Sequence, residues 1–117
     1  MNNLKNRVSL IGNLGMDPEV RELNGGKKMA RFSLATNDTY KNAEGEKVTD
    51  TQWHNMIAWG PKAAFAEKYL KKGQEVAVEG KLNHRAYEDD QGVKKYITEV
   101  IINQVQILHN SRREAAV

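Results

Sequence analysis

"TQWHNMIAWGPKAAFAEKYLKKG", residues 51–73, carries two hydrophobic periods back to back. In its first part Trp53, Asn55, Ile57 and Trp59 share parity, so an extended strand projects them from one face. His54, Met56 and Ala58 then project from the other. From Pro61 the spacing becomes helical, with Phe65, Ala66, Tyr69 and Leu70 on one face. Pro61 suits a first helical turn, Lys71 and Lys72 complement the C-terminal dipole, and Gly73 is a natural stop. Together they predict a helix of about ten residues within 61–73.

Outward from this stretch, strand patterns dominate. "NRVSLIGN" (6–13) is a first strand, followed by the turn-forming "GMDPE". "EVRELNGGKKMARFSLATND" (19–38) reads as a strand, an Asn-Gly-Gly turn at 24–26 and a strand continuing to about Asp38. "YKNAEGEKVTD" (40–50) reads as a polar, mobile loop centred on Gly45, and residues 51–60 form the third strand. Beyond the helix, "QEVAVEGKLNHRAYE" is a fourth strand, "DDQGVK" a hairpin tip and "KYITEVIINQVQIL" a fifth. Residues 1–108 therefore form one domain, and "HNSRREAAV" (109–117) a short flexible tail. Three strands, one helix and two strands is the order of the OB-fold. The expected class is all-β with little helix: a five-stranded Greek-key barrel with one short helix between strands three and four. Gly12 and Gly80 lie within strand patterns and suit the bends of a small barrel. The rival arrangement is a plain antiparallel sheet with a helix on one face.

Composition bounds the function. A chain of 117 residues with 39% hydrophobic and 28% charged residues supports one domain and one core. No apolar run approaches the ~20 residues needed to span a bilayer, so no membrane partner is expected. The N-terminal apolar stretch is broken by Ser9, Gly12 and Asn13, which argues against a signal peptide. With no cysteine there is no disulfide, thiolate nucleophile or Cys-ligated zinc, which fits a reducing, cytoplasmic setting. Eighteen Lys+Arg against fifteen Asp+Glu give a net charge of +3, a mildly basic balance whose arrangement matters more than its size.

That arrangement interleaves cations with aromatics. Phe32, Tyr40, Trp53, Trp59, Tyr87 and Tyr96 lie outside the helix. Tyr40 and Tyr87 sit among charges, in "TYKN" and "HRAYED", as exposed rings do. Lys81, Arg85 and Tyr87 share parity on the fourth strand. Single-stranded nucleic acid requires this mixture: rings stack on bases at roughly 1–3 kcal/mol each while cations follow phosphates. Each feature has a plainer alternative. Trp53 and Trp59 could fill the core, with His54-Met56-Ala58 outside. Tyr87 could brace a hairpin, and Lys81 and Arg85 could be ordinary solvated charges. Catalysis has little to build on. His54, His84 and His109 lack metal-ligand spacing, Asp89-Asp90 sits in a turn, and "GNLG" (12–15) lacks the length and lysine of a phosphate-binding loop. No enzyme, metal or cofactor is expected.

"VSLIGNLGMDPEVREL", "FSLATND", "TQWHNMIAWG", "AEKYLKKGQEVAVEGKL" and "YITEVIINQVQIL", in order from Leu4 to Leu108, resemble the bacterial single-stranded-DNA-binding protein family. The resemblance implies an OB-fold homotetramer that coats single-stranded DNA in replication, repair and recombination, associated with the nucleoid. It places stacking residues at Tyr40, Trp53, Trp59 and Tyr87. Tyr40 and Tyr87 stand for common tryptophans and Trp59 for a common phenylalanine. His54 matches a subunit-interface position, and Tyr69 a frequently retained aromatic. Candidate phosphate contacts are Arg31, Lys41, Lys62, Lys72, Lys81, Arg85 and Lys95. The family usually ends in an acidic, hydrophobic tip that recruits genome-maintenance proteins, and "SRREAAV" lacks one, so tail-mediated partners are not expected. The alternatives are an OB module of replication restart that binds a protein, or an RNA- or oligosaccharide-binding OB domain.

Overall fold

A computed structural model of the chain describes residues 4–109. Its elements are β1 (Val8–Leu14), β2 (Glu19–Leu23), β3 (Lys27–Lys41), β4 (Lys47–Trp59), α1 (Pro61–Tyr69), β5 (Glu75–Glu88) and β6 (Lys94–His109). The strands run β1-β5-β6-β4-β3-β2, and β1 also pairs with β3. That last pairing closes β1, β5, β6, β4 and β3 into a five-stranded barrel, with β2 a flap on the outer edge of β3. The OB barrel read from the sequence is present, its second position occupied by the β2–β3 hairpin. All pairings are antiparallel except β4 with β6, parallel over Asn55–Ile57 and Glu99–Ile101.

Closure depends on one short strand serving two partners. β1 pairs with β5 from Val8 to Asn13 and with β3 at Asn13 and Leu14. Gly12 permits the crossing, because a Cβ there would collide with the Ala35 carbonyl oxygen. Gly80 does the same for β5 against the Ile101 carbonyl, beside a register shift at Glu79/Gly80. Both glycines are needed for close backbone approach.

The core follows strict alternation. Leu14, Ala30, Phe32, Leu34, Met56, Ala58, Val76, Val78, Val100 and Ile102 point inward and are buried. Helix α1 covers the barrel with Ala63, Ala66 and Leu70, whose two alanines let it lie close. Gly60, at φ +60°, turns β4 straight into Pro61, and its carbonyl accepts the Ala64 N–H at 3.0 Å.

Three expectations change. Helix α1 stops at Tyr69, short of Gly73. Buried Gln74 takes up its end, donating Nε2–H to the Tyr69 carbonyl at 3.0 Å and accepting the Lys71 N–H at 2.9 Å. Tyr69, grouped by spacing with Ala66 and Leu70 on one face, does not share their burial: it is exposed and rests beside Phe65 with ring centroids 5.0 Å apart. The 40–50 segment is mostly strand: β3 and β4 stay paired out to Lys41 and Lys47. Only 42–46 forms a tip, in which Asn42 Oδ1 accepts the N–H groups of Glu44 and Glu46, both at 2.9 Å. This ribbon projects past the core, so both its faces are polar and no apolar alternation marks it as strand.

Among the described residues no helix is long and apolar enough to cross a membrane. Of the tail expected at 109–117, His109 ends β6 and the rest lies outside the described residues.

Candidate nucleic-acid interface

Cross-strand register decides which side of the sheet each side chain occupies. Phe32 pairs with Met56 and Leu34 with His54, so even-numbered positions of β3 and β4 share the inner side. Odd-numbered positions therefore face out. Trp53 is 61% exposed and Trp59 is half-buried. The alternative with the tryptophans in the core is excluded, because Met56 and Ala58 fill it.

Asn55 pairs with Glu99 and Glu99 with Asn83, which carries the outer side across β6 to β5. That side bears Lys81, Arg85 and Tyr87 on β5 and Lys95 on β6. On β3 it bears Arg31, Ser33 and Lys41. Register thus unites Trp53, Trp59 and Tyr87 with five of the seven candidate cations. Tyr40 is not among them. It pairs with Val48 on the opposite side of the β3–β4 ribbon, exposed near the tip. Lys62 lies in the first turn of α1. Lys72 follows the helix, where its N–H donates to Asp17 Oδ1 at 2.8 Å.

Two local devices hold the tryptophans. Trp53 lies against Gly15, where a Cβ would come within 2.9 Å of Trp53 Cη2 and 2.8 Å of Ser33 Oγ. The Gly15 N–H in turn donates to the Ser33 carbonyl at 3.0 Å. The ring is therefore seated on backbone, and any side chain at position 15 displaces it. Trp59 carries the Lys27 ammonium 4.9 Å from its ring centroid, a cation–π contact of about 0.5–1 kcal/mol at an exposed site.

The cations divide by partner. Arg31 donates to Glu19 Oε1 at 2.7 Å, and this hydrogen bond holds the Glu19 carboxyl below its ordinary range. Lys95 lies 3.6 Å from Asp89, whose carboxyl is lowered chiefly by the Val93 N–H. Exposed pairs like these are weakened by solvent and exchange readily for a phosphate. Arg85 differs. Its Nε–H donates at 3.0 Å to Glu99 Oε1, and the Glu99 side chain is only 6% exposed. Glu99 is the buried member of this pair, while the Arg85 side chain is 47% exposed. Among the described residues no ion pair engages Lys41, Lys62, Lys72 or Lys81.

The histidines are engaged elsewhere. His54, half-buried on the inner side, sits 2.9 Å from Thr36 Oγ1, and His84 2.7 Å from Thr98 Oγ1. Gly15, Lys27 and Glu99 were not among the residues read from the sequence. Glu99 alone carried a signal, as the one charge inside "YITEVII".

A model described as the Single-strand binding protein family matches residues 5–108. Single-stranded DNA-binding protein 1 of Chlorobaculum tepidum is 43% identical over 104 residues, covering 88% of this chain and 64% of that protein. The chain thus spans just under two thirds of that relative's length. The solved Plasmodium falciparum SSB complex with ssDNA matches with a TM-score of 0.76 and 36% identity, over 95% of this chain and 100% of that one. The family match runs through every barrel strand and the helix, and the chain belongs to the single-strand binding protein family.

Proposed function

We propose that this chain binds and coats single-stranded DNA without strong sequence preference, in replication, repair and recombination in the cytoplasm. Trp53, Trp59 and Tyr87 stack on bases along the outer barrel wall, and Tyr40 adds a ring near the ribbon tip. Lys41, Lys62, Lys72 and Lys81 meet phosphates first, and Arg31 and Lys95 exchange exposed carboxylates for them. The observation that carries this reading is the exposed, seated indole of Trp53 on a face rich in cations. The Plasmodium relative, described as a complex with ssDNA, supports it. This reading assigns no catalytic step, and His54 and His84 each contact a threonine hydroxyl.

Anisotropy of a labelled oligo-dT, titrated at several salt concentrations, tests the reading. Affinity should fall with a log–log slope of about −0.7 for each phosphate contacted. Equal competition by duplex DNA, or preference for RNA of the same length, contradicts it.

The same reading includes a homotetramer. Among the described residues β1 pairs along Val8–Gly12 through one edge, against β5, and Ile11 beside it is exposed. That free edge and the inner-side His54 are the surfaces on which a second copy would sit. His54→Lys should lower the mass in solution on dilution, and a variant that stays fully assembled removes His54 from the interface.

A further inference from the structure

Two adjacent lysines at the start of β3 are held in opposite ways. Lys28, on the inner side, donates to Glu67 Oε1 at 2.6 Å. Lys27 is exposed on the outer side, two residues before Met29, which pairs with Trp59. Lys27 and Trp59 are therefore diagonal neighbours across the β3–β4 ladder, within reach of a long side chain. The Lys27 ammonium lies 4.9 Å from the Trp59 ring centroid. Across the other ladder Lys27 pairs with Leu23, so no carboxylate stands directly opposite it. Among the described residues no ion pair engages it.

We propose that Lys27 is a phosphate site loaded by exchange. A base stacking on Trp59 takes the ring face from the ammonium, and Lys27 swings to the phosphate of that nucleotide. The inference rests on the single-stranded-DNA reading above and adds one contact to it. An indole is neutral, so it orders Lys27 without cancelling its charge, whereas the Glu67 carboxylate cancels that of Lys28. At an exposed site the hold of a ring on a cation is weaker than base stacking, so the base wins the face. The flexible four-carbon stem carries the ammonium across without moving the backbone. Every base has a π-face and every nucleotide a phosphate, so the exchange is indifferent to sequence. It has one drawback. Where salt screens the phosphate, Lys27 only competes with the base for Trp59.

The test compares Lys27→Met, which keeps an apolar stem against the indole, with Lys28→Met, which makes the same charge change next door. Anisotropy of labelled oligo-dT is read from low salt to about 1 M. Lys27→Met should bind more weakly than wild type at low salt, with a log–log slope shallower by about 0.7. Its deficit then shrinks about fivefold for each tenfold rise in salt. Near the top of the series the order should invert, with Lys27→Met about two- to fivefold tighter, because nothing competes for the Trp59 face. Lys28→Met should keep the wild-type slope. A wild-type slope for Lys27→Met overturns the proposal, as does a Lys27→Met that stays weaker at every salt concentration. An equal loss of slope in Lys28→Met also overturns it, since the effect would then be one of net charge. Failure of the wild-type protein to bind oligo-dT at all would instead remove the parent reading, so the two failures are distinct.

Discussion

Trp53→Ala should weaken oligo-dT binding by about 1–3 kcal/mol, a rise in Kd of roughly five- to 150-fold, while the protein melts almost as before. Stability changes little because most of the indole already faces water. Its ring lies against Gly15, and substitutions at such surface positions usually stay within about 0.5 kcal/mol. Affinity changes much because the ring is already held in place. A seated indole needs little ordering when a base arrives, so more of the stacking energy appears in the complex. Urea denaturation and an oligo-dT isotherm on the same preparation separate the two quantities. A variant that unfolds would mean the indole supports the barrel after all.

Phe32→Ala should do the reverse. Phe32 is 1% exposed and pairs with Met56, one strand from Trp53 and on the other side of the sheet. Removing it costs the transfer energy of the ring and leaves a cavity, together about 3–5 kcal/mol. The barrel relaxes poorly around that cavity, since β3 is held by β4, by β2 and at its crossing with β1. Against a typical total of about 5–15 kcal/mol this is a large fraction. The urea midpoint should fall steeply, while the folded fraction binds oligo-dT with near wild-type affinity. A nearly neutral Phe32→Ala would place the core elsewhere.

The barrel was legible in the sequence because its signals are local. The change of period at Pro61, the Asn-Gly-Gly turn and the glycines of β1 and β5 each read without knowledge of distant partners. The face of β4 was less so. Tryptophan on one side and methionine with alanine on the other are both plausible interiors, and pairing with Phe32 and Leu34 decides between them. The ribbon of β3 and β4 escaped notice because nothing buries either of its faces. Its hidden length also concealed the side that Tyr40 takes. Ion pairs lay furthest out of reach. Arg85 and Glu99 are fourteen residues apart and meet only through the register of β5 with β6. The glycine beneath Trp53 left no mark at all, since Gly15 sits in a stretch that reads simply as a turn.

The account depends on indole rings lying open to nucleobases on the outer wall of the barrel. Intrinsic tryptophan fluorescence during titration with unlabelled oligo-dT tests it most directly, because both tryptophans of the chain stand on that wall. The account predicts strong quenching as the strand is added and recovery of emission when salt releases it. Emission that stays unchanged under excess strand would contradict it.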